Sequence, residues 1–185
     1  GQGVQYQTYD VTGLLRQGAN VIGALLGDGH YAGRVGMTQS YASMRLRAVY
    51  GRKPRLRAQL EVELDDGRTV TIATDGAGRS TTDGPIRLSD IYDGEVQDAR
   101  RALPGWDRPG YDESGDGPAD WRPVEVDDTL RMPLLAQIYP PIRITCAVPA
   151  QAVHSPERGV YILDLGQDIT GWVRLKVCGR PGQRV

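Results

Sequence analysis

The sequence predicts an all-β fold, a β-sandwich or jelly roll. The chain has 24 glycines and 12 prolines among 185 residues, which indicates many turns and few long helices. Short apolar or alternating segments recur with turn residues between them, as is typical of sandwiches and jelly rolls. Strands do not alternate with helical segments, so a parallel α/β sheet is not expected.

Charge and hydropathy exclude several classes of partner. The formal net charge is -1, the pI is near 6.2, and no basic tract stands out, so neither nucleic acid nor an anionic membrane is expected to bind. No apolar run reaches the length of about 20 residues that a membrane-spanning helix needs. We therefore expect a soluble protein, with either a cytoplasmic or a secreted location.

The first third of the chain predicts two strands and a glycine-rich loop. Residues 4–11 alternate and are rich in Tyr, Thr and Val, which favours a strand, and residues 12–15 predict one helical turn. Residues 20–26 form a compact apolar strand. They lead into the loop 27–33, whose three glycines permit backbone angles that other residues avoid.

The middle third contains the strongest local pattern. Residues 59–64 alternate between polar and apolar side chains, residues 65–68 read Asp-Asp-Gly-Arg, and residues 69–73 alternate again. This pattern predicts a β-hairpin. A further strand or extended segment is predicted over residues 86–93, entering Gly94 and Glu95.

A long surface excursion follows. Residues 104–123 show no periodicity, and we expect Trp106 and Trp121 to pin this excursion to the sandwich. The composition changes near residues 130–140, which predicts a domain boundary. Further strands are predicted over residues 134–138, 142–147, 159–165 and 171–177.

Cysteine and histidine are scarce. Cys146 and Cys178 lack the spacing of a metal or redox pair, and free buried thiols are favoured over a disulfide. Zinc spacing, a nucleophile elbow and a phosphate-binding glycine loop are all missing from the sequence. His154 lies in a proline-flanked linker and is not expected to be functional.

Two clusters are candidate sites. The glycine-rich loop holds His30 beside Asp28, Tyr31 and Arg34, although a hydrogen-bonded loop histidine is the favoured interpretation of His30. The second cluster comprises Asp90, Tyr92, Asp93 and Glu95, followed by Asp98 and Arg100.

Oxygen-rich clusters such as the second one bind calcium, or accept sugar hydroxyls while an aromatic ring covers the apolar face of the sugar. The alternative is a turn whose acids cap backbone N–H groups and pair with Arg100. Nothing singles out one carboxylate as the raised-pKa acid of a glycosidase. Both clusters combine glycine, acids and tyrosine, so we expect residues 27–34 and 85–95 to lie side by side at one end of the sandwich.

Several of these segments together resemble the amino-terminal region of bacterial α-L-rhamnosidases. The resemblance rests on residues 6–12 (Tyr-Gln-Thr-Tyr-Asp-Val-Thr), 20–23, 26–33, 84–86, 89–95, 98–100, 105–107, 164–168 and 171–175. It covers most of the chain in the family's order. The resemblance implies a jelly-roll β-sandwich over residues 1–134, with its upstream strands missing, followed by the first strands of a second, concanavalin-like β-sandwich over residues 135–185.

The family's activity implies a role for this chain within a larger enzyme. Catalysis in the family takes place in a downstream (α/α)₆ barrel, so the resemblance implies a non-catalytic fragment of a glycoside hydrolase that acts on rhamnosylated glycans. The downstream catalytic domain of the same polypeptide is then one partner, and rhamnose or a rhamnosylated glycan is the other. The alternative is a purely structural domain that docks and supports the barrel.

The resemblance also implies a site. Some family members bind L-rhamnose in this module through a calcium ion, and the resemblance places Asp28 and the backbone near Pro85 at that ion. The carbohydrate would then be held by Asp28, His30, Tyr31, Arg34, Asp90, Tyr92, Asp93 and Glu95. The family usually carries tryptophan where this chain has His30. The histidine removes the ring on which a sugar would stack.

Overall fold

The protein consists of short strands and turns. The structure, a computed structural model, describes residues 3–35, 47–114, 119–129 and 131–185. In these ranges the strands are β1 (Val4–Tyr6), β2 (Gln59–Glu63), β3 (Thr69–Ala73), β4 (Arg79–Ser80), β5 (Ile86–Asp90), β6 (Gly94–Gln97), β7 (Arg122–Pro123), β8 (Leu134–Ala136), β9 (Ala152–His154) and β10 (Ile162–Asp164). One α-helical turn, α1 (Gly29–Ala32), and the 3₁₀ turns Thr12–Leu14 and Ala99–Arg101 complete the elements. The predicted all-β class is confirmed.

The strands pair two by two in the described residues. The pairs β2–β3, β5–β6, β4–β7 and β9–β10 are antiparallel, and β1 pairs with β8 in parallel. The jelly-roll connectivity and the second sandwich remain predictions.

The hairpin over residues 59–73 is confirmed. Its register runs from Gln59 opposite Ala73 to Glu63 opposite Thr69. Gly67 in the turn has a φ of 80°, a conformation that other L-residues rarely adopt, which explains the Asp-Asp-Gly-Arg turn.

A second hairpin joins β5 to β6. The predicted extended segment 86–93 ends at Asp90, which lies opposite Gly94. Gly94 has a φ of 81° and allows the chain to reverse there. As a consequence, Tyr92 and Asp93 lie in a tight turn rather than on alternating faces of a strand.

Several predicted strands are wrong. Residues 20–26, 142–147 and 171–177 carry no strand, since they find no ladder partner in the described part of the chain, and a β-strand exists only through its pairing. The segment predicted over residues 159–165 is reduced to β10. Its partner β9 lies in the region interpreted as a linker, and it includes His154.

The chain divides into two compact units. One comprises Tyr9–Arg131, and the other comprises Gly1–Thr8 together with Met132–Val185. The amino-terminal residues belong with the carboxyl-terminal ones because β1 pairs with β8. The predicted domain limits, 1–134 and 135–185, stay predictions.

The core cluster of the unit Tyr9–Arg131 is formed mainly by the long excursion itself. Leu103, Ala119 and Trp121 are buried there, and Trp106 and Tyr111 pack against them. The Tyr111 and Trp121 rings meet edge to face, with centroids 5.9 Å apart. These residues belong to the excursion or directly precede it, so the excursion packs against itself, and the expectation that Trp106 and Trp121 pin it to the sandwich stays a prediction.

Two further expectations concern cysteine and membranes. Cys146 and Cys178 are free, as expected, but both are exposed rather than buried, because neither lies in a paired strand. Among the described residues, no helix has the length and apolar character to cross a membrane.

Truncation of the buried tryptophan tests this core. We expect Trp121→Ala to lower the free energy of unfolding by roughly 3–5 kcal/mol, because the removed ring leaves a cavity beside Leu103 and Tyr111. Trp172→Ala is the matched control, since Trp172 is 66% exposed. Urea unfolding followed by circular dichroism measures both variants. Equal losses in the two would contradict this assignment of the core.

Candidate functional site

The two predicted segments lie side by side in the unit Tyr9–Arg131. The Asp28 backbone N–H donates to the carbonyl of Ser89 at 3.1 Å. The Arg34 backbone N–H donates to Oδ2 of Asp90 at 2.9 Å. These two contacts tie both ends of the glycine-rich loop to β5 and the turn that follows it.

Glycine makes this approach possible. A Cβ atom on Gly27 would lie 2.9 Å from Ser89 Oγ, and one on Gly33 would lie 2.5 Å from Asp90 Oδ2 and closer still to the Gly29 carbonyl. Gly29 has a φ of 51° and opens α1, so the predicted irregular loop contains one helical turn. The glycines noted in the sequence thus serve close packing of the backbone.

Asp90 is the anchor of this contact. Its side chain is fully buried, and besides Arg34 it accepts the backbone N–H groups of Tyr92 at 2.8 Å and Asp93 at 3.1 Å. Both carboxylate oxygens are therefore committed to the protein itself. The alternative that acids of this turn cap backbone N–H groups holds for Asp90, and we assign this residue a structural role rather than ligand contact.

Arg47 connects the two segments through its side chain. Its guanidinium lies 2.8 Å from Asp28 Oδ2, 3.1 Å from Asp90 Oδ2 and 2.7 Å from Asp93 Oδ2. Arg34 pairs with the other oxygen of Asp93 at 3.0 Å. No motif pointed to Arg47. The excess of acids over bases in the two segments was the available signal, because acids brought together need a counter-charge.

An aromatic pair bridges the surface of the two segments. The rings of His30 and Tyr92 have centroids 6.0 Å apart and are inclined by 32°. His30 is exposed and Tyr92 is 50% exposed. Tyr31 is half-buried instead, and its hydroxyl accepts a hydrogen bond from Arg55 at 3.0 Å. The exposed rings are therefore His30 and Tyr92, and Tyr31 faces the protein.

The two residues expected near calcium are engaged by other groups of the protein. The Asp28 carboxylate faces Arg47, and the Pro85 carbonyl accepts the Asp98 N–H at 2.8 Å within the β5–β6 hairpin. Among the described residues, no group of three His, Cys, Asp or Glu side chains could hold a metal ion. Glu95 is exposed in β6, opposite Ser89, and Arg100 pairs with Asp98 rather than with the turn acids.

The environment of Asp90 lowers its pKa. Burial acts to raise the pKa, but the backbone N–H groups of Arg34, Tyr92 and Asp93 and the charge of Arg47 outweigh burial. The Arg100 guanidinium likewise lowers the pKa of Asp98 to about 2. These carboxylates are thus held ionised.

A separate surface cleft of about 670 Å³ lies elsewhere in the same unit. Its lining includes Leu14, Arg16, Asn20, Asp107, Arg108 and Pro109. The Asn20 amide is engaged with the backbone of Arg16 and Gly18, so it shapes the cleft wall. No sequence motif pointed to this cleft.

Replacement of the anchor tests the site's architecture. Asp90→Asn replaces one carboxylate oxygen, which accepts a backbone N–H, with an amide N–H₂ group, which cannot accept it. We therefore expect the melting temperature to fall by roughly 5 °C near neutral pH. The folded-state pKa of Asp90 is below its ordinary value of about 4. Its contribution is therefore complete above about pH 4 and is lost as the pH falls through the folded-state pKa.

Thermal melts at a series of pH values measure this difference. Asp75→Asn is the control, because the exposed Asp75 carboxylate accepts one backbone N–H, from Ala77. A difference between wild type and Asp90→Asn that persists undiminished at the most acidic pH would contradict the assigned role of the charge.

Comparison with known proteins identifies relatives of this chain. The α-L-rhamnosidase of Streptomyces avermitilis is 42% identical over 183 residues, which is 98% of this chain and 16% of that protein. An α-L-rhamnosidase of Formosa agariphila is 34% identical over 95% of the chain and 18% of its own length. The chain therefore spans less than a fifth of these curated relatives.

Solved structures give the same relationship. The crystal structure of Streptomyces avermitilis α-L-rhamnosidase complexed with L-rhamnose superposes with a TM-score of 0.72 at 37% identity, over 91% of this chain and 15% of that one. The native α-L-rhamnosidase of Aspergillus terreus gives a TM-score of 0.68 at 31% identity, over 89% and 18%. The family described as the α-L-rhamnosidase N-terminal domain matches residues 2–146. Since this match covers most of the sequence, the chain belongs to the α-L-rhamnosidase N-terminal domain family.

Proposed function

We propose that this chain is a non-catalytic, carbohydrate-binding part of an α-L-rhamnosidase, with L-rhamnose or a rhamnosylated glycan as its ligand. The observation that carries the proposal is the exposed His30–Tyr92 pair, which two separate segments bring together beside carboxylates. Sugars are bound by flat rings against their C–H faces and by charged acceptors for their hydroxyls. The pair supplies the rings.

The acceptor comes from the edge of the same surface. The Asp28 side chain is 36% exposed, whereas both oxygens of Asp93 are paired with Arg34 and Arg47. One oxygen of Asp28 is held by Arg47, and Oδ1 accepts no hydrogen bond within the described part of the chain. Oδ1 is therefore the acceptor that we assign to a sugar hydroxyl. The relative from Streptomyces avermitilis, whose crystal structure is described as a complex with L-rhamnose, supports the choice of ligand.

A structural role is the second candidate. On the β2–β3 hairpin, the apolar side chains of Val70 and Ile72 are 41% and 52% exposed. Proteins usually cover exposed strands with another part of the structure. If this chain is part of a longer polypeptide and docks against the catalytic domain of that polypeptide, the docked domain would cover Val70 and Ile72. Sugar titration separates the two roles, because a purely structural domain shows no saturable binding.

Calorimetric titration with L-rhamnose tests the carbohydrate site. We expect weak, saturable binding by the wild-type chain and roughly tenfold weaker binding by Tyr92→Ala, because the lost ring contact corresponds to about 1.4 kcal/mol. His30→Ala should weaken binding in the same direction.

Tyr161→Ala provides the control for that titration, since Tyr161 is an exposed tyrosine of the other unit, at 66%. D-glucose is the control ligand. If wild type binds no rhamnose, or if Tyr92→Ala and Tyr161→Ala bind it equally well, the proposed site is refuted.

The proposed absence of catalysis has its own support. Inverting and retaining glycosidases both use a carboxylic acid whose pKa is raised, so that it can donate a proton. The described carboxylates with a resolved shift all have lowered pKa values, and they are Asp10, Asp90, Asp98, Asp112, Asp120 and Asp127. Hydrogen bonds from backbone or side-chain groups lower these values. These carboxylates are suited to hold turns rather than to donate protons.

We therefore expect no hydrolysis of an aryl α-L-rhamnoside by this chain. Release of nitrophenol from the nitrophenyl glycoside, followed by absorbance, measures this. A rate that co-purifies with the chain through successive columns would contradict the proposal. A full-length α-L-rhamnosidase serves as the positive control.

A further inference from the structure

We infer that the guanidinium of Arg47, and not a divalent cation, bridges the three carboxylates where the glycine-rich loop meets the end of β5 and the turn that follows. Asp28 belongs to the loop, Asp90 ends β5, and Asp93 lies in the turn. All three have an oxygen within 3.1 Å of the Arg47 guanidinium. Arg47 therefore occupies the position at which a structural metal ion would act as a cross-link.

The shape of the guanidinium suits this arrangement. Nη1 contacts Asp90 and Asp93, and Nη2 contacts Asp28, so the planar fork reaches both segments at once. Arg34 adds a second cation on Asp93. Three carboxylates then face two guanidinium groups, and the remaining negative charge is stabilised by the three backbone N–H groups that donate to Asp90.

The oxygen atoms are also unsuited to calcium. Calcium takes six to eight oxygen ligands at about 2.3–2.6 Å. Both Asp90 oxygens accept hydrogen bonds from backbone N–H groups, and one of them also contacts Arg47. Both Asp93 oxygens pair with Arg34 and Arg47. The Pro85 carbonyl accepts the backbone N–H of Asp98. A calcium ion would have to displace these donors and then lie against positive charge.

The inference stands apart from the proposed sugar binding. It concerns how the two segments are fixed, and it holds whether or not a sugar binds to His30 and Tyr92. Its prediction for the intact chain is that calcium and chelators leave stability unchanged, whereas loss of the guanidinium loosens the contact.

Thermal unfolding of the 185-residue chain in millimolar calcium chloride and in EDTA tests the first part. We expect the same melting temperature in both, and no heat of binding when calcium is titrated calorimetrically into the metal-free chain. A melting temperature that rises with calcium and falls with EDTA would overturn the inference.

A double-mutant cycle tests the second part. Arg47→Met should lower the melting temperature by roughly 5 °C, and Asp93→Asn should cost much less in the Arg47→Met background than in wild type. The matched cycle combines Arg68→Met with Asp66→Asn, because these exposed residues pair within a single hairpin turn. We expect the matched cycle to be additive.

Arg47→Lys keeps the charge but loses the fork, so its melting temperature should lie between those of wild type and Arg47→Met. If Arg47→Met does not fold, the cycle is run with Arg47→Lys, for which we expect the same non-additivity on a smaller scale. Additive effects of Arg47 and Asp93 would overturn the inference.

Discussion

The arrangement of the candidate site depends on one buried carboxylate. Asp90 lies at the end of β5, accepts three backbone N–H groups from two separate segments, and meets one guanidinium. A buried charge is tolerated only when it is hydrogen-bonded and paired, so each of these partners is required. Because Arg34 belongs to one segment and Tyr92 and Asp93 to the other, satisfying Asp90 also fixes the segments relative to each other.

The anchored backbone in turn determines which side chains reach the surface. The short helical turn α1 exposes His30 and leaves Tyr31 half-buried, and the turn after Asp90 exposes Tyr92. The His30–Tyr92 pair therefore results from two local backbone conformations held by one carboxylate. His30 supplies one ring of the pair, and Tyr92 from the neighbouring segment supplies the second.

Local patterns were predictable from the sequence, and long-range pairing was not. The hairpin over residues 59–73 follows from strict alternation around a glycine turn. The exception is the contact between residues 27–34 and 85–95, which was expected because both segments combine glycine, acids and tyrosine. The parallel pairing of β1 with β8 joins residues about 130 positions apart, and no short-range signal specifies it. Arg47 was missed for the same reason: it acts on Asp90 and Asp93 across more than 40 residues, from a segment without a motif.

The buried core and the site differ in how they are stabilised. Four apolar side chains are buried in the described residues, whereas Val70, Ile72, Ile142, Trp172 and Val173 are among the many large apolar side chains that remain exposed. Where apolar burial is this limited, hydrogen bonds and ion pairs must carry more of the local order. The segments around Asp90 have such a network, which lets the two loops keep their relative position without a large apolar core beneath them.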